Sequence, residues 1–208
     1  MSSQSVDPNG APVREEPKHQ PLWRRAIDAV QTEVVGIHPR LVAYNLAAGM
    51  LPLRASGELR AQLLRLTGFS VGRGVRINGP LKISGPRGIT GRLQIGRDCS
   101  IDTECMLELS DDLLVGDRVT MEPGVMILTS THELDFPQHR AGKIITSPVT
   151  IGDGAWLRAR SIVLPGVKIG AGAVVEVGSV VNKDVAADTR VGGSPAAKLE
   201  VLKKSDEA

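Results

Sequence analysis

The residues best suited to moving a proton lie in one polar stretch, THELDFPQHRAGKIITSP, between Thr131 and Pro148. It carries His132 and His139, two of the four histidines in the chain. A neutral imidazole titrates near working pH, so His132, at the root of the stretch, can take a proton from a hydroxyl or an amine and return it. Glu133 and Asp135 are close enough in sequence for either to orient the ring. A lone histidine in a polar loop is also what an ordinary solvated surface looks like, so His132 gains meaning only from the elements around it. Cys99 and Cys105 sit six apart, at a phase otherwise filled by small residues. That phase makes them core fillers rather than nucleophiles, metal ligands or a disulfide framework.

Those elements are set by a six-residue beat. Val71, Ile77, Ile83, Ile89, Ile95, Ile101 and Leu107 follow one another at that interval. After a two-residue slip the beat resumes at Val115, Met121 and Ile127, and after the polar stretch at Ile151, Leu157, Val163, Ile169, Val175 and Val181. All sixteen are aliphatic or Met. Four residues after many of them comes a second, mostly small position: Val75, Cys99, Cys105, Val119, Val125, Ala155, Ser161, Ala173 and Ser179. A fixed short period of this kind signals a parallel β-helix, an all-β fold in which each hexad is a short strand plus a turn. Three hexads close a triangular coil of about 18 residues. The large aliphatic fills the interior and the small residue lets the chain bend. Gly follows the beat at Gly72, Gly96, Gly116, Gly152 and Gly170, where it is expected to supply turn conformations. Pro123-Gly124 and Pro165-Gly166 are turn dipeptides at one shared phase. An ordinary sandwich of alternating strands would not hold a modulus of six over so long a span.

The chain divides accordingly. Residues 1–20 have little to bury and are expected to be a disordered tail. Residues 21–69 form a helical leader, with segments from Pro21 to Gly36, from Pro39 to Pro52, and from an N-cap at Ser56 to Gly68. In the last, Leu59, Leu63 and Leu66 are expected to share the packed face, with Arg60 and Arg65 directed elsewhere. The β-helix domain spans 70–190, with its loop at about 131–148, and a C-terminal extension covers 191–208. The tail leaves the prism through Gly192-Gly193-Ser194-Pro195. Residues 41–53 are apolar but too short to cross a bilayer. They fit a helix packed on the prism end or on a neighbouring subunit, or a peripheral membrane contact beside Arg24, Arg25, Arg40 and Arg54.

Composition narrows the function. The chain is 208 residues long and 41% hydrophobic, enough for a core, but only 2% aromatic, as suits a narrow interior of Ile, Val and Ala. A formal charge of +2 gives no argument for nucleic acid. No N-terminal stretch combines a basic region, an apolar core and a cleavage site, so a cytoplasmic location is expected. Trp156 stands out at a corner of so ring-poor a chain.

The hexad array, the THELD element, the run PVTIGDGAW and the exit VGGSPA together resemble the hexapeptide-repeat acyltransferases. The likeness is to the maltose, galactoside and nodulation O-acetyltransferase group and to acetyltransferases of exopolysaccharide gene clusters, over roughly residues 70–200. That resemblance implies a left-handed parallel β-helix, acetyl-CoA as acyl donor, no metal, a sugar or saccharide acceptor and a homotrimer with clefts between subunits. It makes His132 the catalytic base. Asp102 falls where the family commonly has an acceptor-contacting Asn; Asp accepts hydrogen bonds but does not donate as Asn does. Trp156 matches a residue packing near the pantetheine arm, and Ala159 one offering main-chain contacts to the thioester end. Val177, Asn182 and Lys183 match positions lining the coenzyme groove. Ala197 and Glu200 stand where cations are common, with Lys198, Lys203 and Lys204 as substitutes for phosphate contact. The leader has no counterpart in the maltose or galactoside branch.

The implied chemistry is direct O-acetylation. His132 deprotonates the acceptor hydroxyl, a backbone N–H stabilises the oxyanion, and the imidazolium protonates the leaving thiolate. N-acetylation of an amino sugar uses the same base and is an alternative. So is a non-catalytic structural subunit that kept the prism. A β-helix carbonic anhydrase needs three histidines around zinc, and the prism region offers only His132 and His139.

Overall fold

The computed structural model of the protein describes residues 38–86 and 88–202. The expected tail at 1–20, the segment from Pro21 to Gly36, Lys203 and Lys204 lie outside these residues. The described chain winds into a parallel β-helix with three flat faces. The first face stacks strands Ser70–Val71, Leu93–Ile95, Leu113–Val115, Val149–Ile151 and Lys168–Ile169. The second stacks Arg76–Ile77, Ser100–Ile101, Thr120–Met121, Trp156–Leu157, Val174–Val175 and Thr189–Gly193, closed by Ala196–Val201. The third stacks Lys82–Ser84, Met106–Glu108, Met126–Ile127, Ile162–Val163 and Val180–Val181. Register keeps like over like: Val71 pairs with Ile95, Ile101 with Met121, and Ile162 with Val180. Every beat residue named above is buried, as is every small position between them. One interior column therefore serves all coils, and burial of branched aliphatics is what holds the stack.

Three features depart from the strict six-residue count. Ile89 is buried but belongs to no coil strand; it anchors a short 3₁₀ turn, Ile89–Gly91, inside a corner insertion. The first coil therefore takes 24 residues, from Val71 to its partner Ile95. The polar stretch is a β-hairpin rather than an irregular loop: Ser130–Leu134 pairs antiparallel with Ala141–Thr146. At the far end Thr189–Gly193 still pairs in parallel with Val174–Val175, so the prism runs past residue 190 to Gly193. The extension then folds back as Ala196–Val201, antiparallel to that last coil strand.

The glycines after the beat do different work from that expected of them. A Cβ on Gly72 would lie 2.3 Å from the Gly96 carbonyl oxygen, and one on Gly96 would lie 2.5 Å from that of Gly116. Backbone stacks on backbone there, and only a missing side chain permits the approach. Left-handed conformations fall instead at the turn glycines, including Gly124 at φ +74° and Gly166 at φ +83°, as their Pro-Gly dipeptides indicate.

Two described helices close the first coil. Helix α1, Pro39–Gly49, begins with Pro in its first turn and buries Leu41, Tyr44 and Ala48. It ends three residues before the expected Pro52. Helix α2, Gly57–Leu66, starts after Ser56, whose side chain makes no capping bond. Its packed face is turned from the expected one, although Arg65 is exposed as expected. Arg60, Ala61 and Leu64 are buried, while Leu59 and Leu66 are exposed and Leu63 packs at the margin. The reason is the open C-terminal end of α1. The Arg60 guanidinium donates to the carbonyls of Ala48, Leu51 and Pro52 at 3.2, 2.6 and 3.0 Å. The Ala48 carbonyl also accepts from the Leu51 N–H at 3.3 Å, whereas the Leu51 and Pro52 carbonyls, just past the helix, face the buried arginine.

Candidate active site

His132 stands on the first strand of the hairpin, opposite Ile144. Its Nδ1 lies 2.8 Å from the Gly142 carbonyl oxygen on the second strand. A carbonyl only accepts, so Nδ1 carries the proton and donates, which leaves Nε2 with its lone pair as a base. Neither carboxylate expected to orient the ring does so. Asp135 instead accepts from the Phe136 N–H at 2.8 Å, and the hairpin backbone holds the imidazole. The hairpin leaves the prism at the corner between the third and first faces. At its root Ser130, Thr131, Ile145 and Ser147 line a cleft of about 280 Å³ with Leu164 and Asn182. Asn182 thus groups with the His132 hairpin, and Lys183 follows it on the same corner, exposed.

A second group gathers at the corner between the second and third faces. Trp156 projects from the second-face strand, 40% exposed. Its indole N–H donates to Glu122 Oε1 at 2.9 Å, and the Ala159 N–H donates to Glu122 Oε2 at 2.8 Å. The Arg158 guanidinium lies 5.0 Å from the Trp156 ring centroid and donates to Glu176 at 2.7 Å. Val177 is exposed at the same corner, one coil further on. The expected main-chain contact at Ala159 is therefore not open. Its N–H is held by Glu122, and its carbonyl accepts from the Gly178 N–H at 2.9 Å. Only the second lone pair of that carbonyl remains free.

Asp102 lies on this corner too, in the coil before Glu122, and its N–H donates to the Met121 carbonyl at 2.9 Å. Its carboxylate accepts from the Thr103 N–H at 2.7 Å and lies 4.0 Å from the Arg54 guanidinium. Arg54 belongs to the leader and sits at φ +62°, with its N–H bonded to the Asn78 carbonyl at 2.9 Å. Arg54, Ser56, Gln62, Arg76 and Asn78 line a polar pocket of about 510 Å³ beside it. The leader thus does reach the neighbourhood of Asp102, through a loop that no motif marked. Lys198 stands apart, exposed on the closing strand opposite Val191.

One chain thus brings Trp156, Ala159, Val177 and Asp102 to one corner and His132, Asn182 and Lys183 to the next. The third face separates them. Glu122, Arg158 and Arg54 are the participants that motif reading missed. For the first two a signal existed: Asn78, Asp102, Glu122, Arg158 and Glu176 each follow a second-face beat residue by one, so they form a polar column along the corner.

Burial holds both thiols silent. Cys105 is fully buried and its pKa is pushed up to about 11 by that burial; desolvation likewise raises the Cys99 thiol above its ordinary value. Neither is a thiolate near neutral pH.

Known proteins share the prism. The family model for the bacterial transferase hexapeptide (six repeats) matches residues 148–183, the fourth and fifth coils. Galactoside O-acetyltransferase of Lactococcus lactis is 36% identical over 95 residues, 46% of this chain and 46% of that protein. The Escherichia coli galactoside O-acetyltransferase is 28% identical over 103 residues, 49% of this chain and 51% of that protein. The chain spans about half the length of the curated relatives it matches. Among solved structures, a hexapeptide-repeat acetyltransferase of Vibrio cholerae bound to acetyl coenzyme A superposes with a TM-score of 0.68 at 27% identity, covering 89% of this chain and 94% of that one. A maltose O-acetyltransferase of Clostridium difficile gives 0.66 at 27%, covering 78% and 84%. The fold is thus the left-handed parallel β-helix of hexapeptide repeats, and the chain is similar, over its prism, to the acetyltransferases built on it.

Proposed function

We propose that the protein transfers the acetyl group of acetyl-CoA directly to a hydroxyl of a sugar or polysaccharide precursor. The observation that carries this reading is the His132 imidazole, fixed through Nδ1–H on the Gly142 carbonyl with Nε2 left as a base. The similarity to galactoside and maltose O-acetyltransferases and to an acetyl-CoA complex supports both donor and acceptor class. His132 Nε2 takes the hydroxyl proton as the oxygen attacks the thioester carbonyl. The C–S bond then breaks, and the imidazolium returns the proton to the leaving thiolate. With both cysteines buried and protonated, the acetyl group passes in one transfer without an acyl-enzyme.

The working unit in this reading is a homotrimer. His132 and the Trp156 corner lie one prism face apart within a chain, on the order of 15–20 Å at about 3.3 Å per residue. Threefold packing sets the hairpin of one copy against the Trp156 corner of the next. Leu134, Phe136 and Ile144 are exposed on the hairpin, which suits an arm laid on a neighbour. In that cleft Trp156, Ala159 and Val177 line one wall and Asn182 and Lys183 the other, with Lys198 near the closing end for phosphate. Asp102 holds the acceptor. Residues 41–53 provide a peripheral membrane contact: Val42 and Leu46 are exposed along α1 and Met50 just past its end, flanked by Arg40 and Arg54. Flotation with anionic vesicles checks that contact, and protein left at the bottom of the gradient refutes it.

The transfer itself is tested by incubating the protein with acetyl-CoA and a panel of free, nucleotide-linked and lipid-linked saccharides, following thiol release and product mass. A mass gain of one acetyl group, stable to the conditions that retain amides but lost on mild alkaline ester hydrolysis, identifies an O-acetyl product. An alkali-stable product would make it an N-acetyltransferase. Failure to bind coenzyme A would leave a structural subunit.

A further inference from the structure

We propose that Glu122 is a positioning residue for the transfer: its carboxylate sets the Trp156 ring and the Ala159 peptide at the junction of the donor and acceptor ends of the cleft. This rests on the acetyltransferase reading above. Glu122 follows Met121 on the second face, in the coil between Asp102 and the Trp156–Ala159 turn. Adjacent coils are spaced by about 4.8 Å, so Glu122 has the acceptor carboxylate on one side and the expected pantetheine contact on the other.

Its chemistry fits that place. Both carboxylate oxygens are in use, one on the indole N–H at 2.9 Å and one on the Ala159 N–H at 2.8 Å. Trp156 is 40% exposed, and an indole on an open prism face has no packing to choose its rotamer. Here its edge is held by Glu122 and its face by Arg158 at 5.0 Å. Arg158 is in turn held by Glu176, and Arg190 joins Glu176 at 3.6 Å to Glu200 at 3.1 Å. Charges therefore alternate from coil to coil as far as the closing strand. Partly exposed ion pairs of this kind contribute little to stability. Orientation of the ring is what the arrangement achieves. The two N–H groups meet different oxygens, and a carboxylate offers two such oxygens side by side. In Gln an NH2 donor replaces one of those oxygens and faces an N–H, so one of the two bonds is lost.

The test joins a spectroscopic readout to kinetics. The chain has two tryptophans, so an indole ¹⁵N spectrum shows two N–H resonances, and Trp156→Phe assigns one. In Glu122→Ala the Trp156 resonance is expected to move upfield toward a solvent-exposed indole, with Glu122→Gln between. KM for acetyl-CoA should rise about tenfold in Glu122→Ala, as for one lost charge-assisted bond, and about threefold in Glu122→Gln, with kcat within about threefold of wild type. If the alanine variant does not fold, the glutamine variant carries the same comparison. An unmoved indole resonance, or an unchanged KM in a protein that binds and turns over acetyl-CoA, overturns the proposal alone. A wild type that binds no coenzyme A overturns the acetyltransferase reading and this role with it.

Discussion

At the scale of single residues, the site is made by backbone groups choosing side-chain states. The Gly142 carbonyl selects the His132 tautomer, and a Cβ at Gly142 would lie 3.0 Å from both the Asp135 Cβ and the Glu133 carbonyl. Gly142→Ala is therefore expected to displace the second hairpin strand and lower kcat by at least about tenfold through His132, with coenzyme affinity kept. Steady-state rates beside calorimetric coenzyme binding check this. Burial makes a second prediction. The Cys105 pKa is raised from 9.0 to about 11 in the fold. Folding is thus favoured by the neutral thiol: its contribution is full below pH 9 and is lost as pH rises toward 11, up to about 3 kcal/mol. Thermal melts from pH 8 to 11 should fall more steeply for wild type than for Cys105→Ala, and parallel curves would contradict it.

At the scale of elements, much was legible because a hexad has one dominant physical demand. Each coil must fill the same interior, so the aliphatic at each beat and the small residue at each bend show in sequence as they show in burial. What failed to show was set by contacts outside that demand. Ile89 keeps the beat by position yet anchors an insertion. The outward leucines of α2 read as a core face, because no pattern reveals that Arg60 is needed by the carbonyls of α1. Removing it should be severe: Arg60→Ala takes the guanidinium from the partly buried Leu51 and Pro52 carbonyls and empties the space of a fully buried side chain. The expected loss is about 2–4 kcal/mol, read from urea unfolding. Gly96→Val tests the glycine column in the same assay. Its Cβ would meet the Gly116 carbonyl at 2.5 Å and part the second and third coils. The hairpin was visible only as a break, since its strands have exposed faces and owe their pairing to each other. Glu122 was legible in principle, through the polar column one residue after the second-face beats, but no single motif contains that column.

At the scale of the whole molecule, the proposed transfer needs both corner groups, and a single prism holds them one face apart. His132 belongs to a hairpin at one corner and Trp156 to the next, and in the proposed trimer one copy completes the other. Light scattering should give three times the 22.1 kDa chain mass. Phe136→Asp, on the exposed hairpin, should shift the particle toward the single-chain mass and lose activity together, while the prism still melts cooperatively. A monomeric wild type with full activity would refute the shared cleft.

The most direct measurement is single-turnover transfer from acetyl-CoA to the best acceptor of the saccharide panel, comparing wild type with His132→Ala, with coenzyme A affinity measured on both. The transfer rate should fall by at least about a hundredfold, with affinity kept within a few-fold, as befits loss of a general base. Transfer by His132→Ala at the wild-type rate would contradict it.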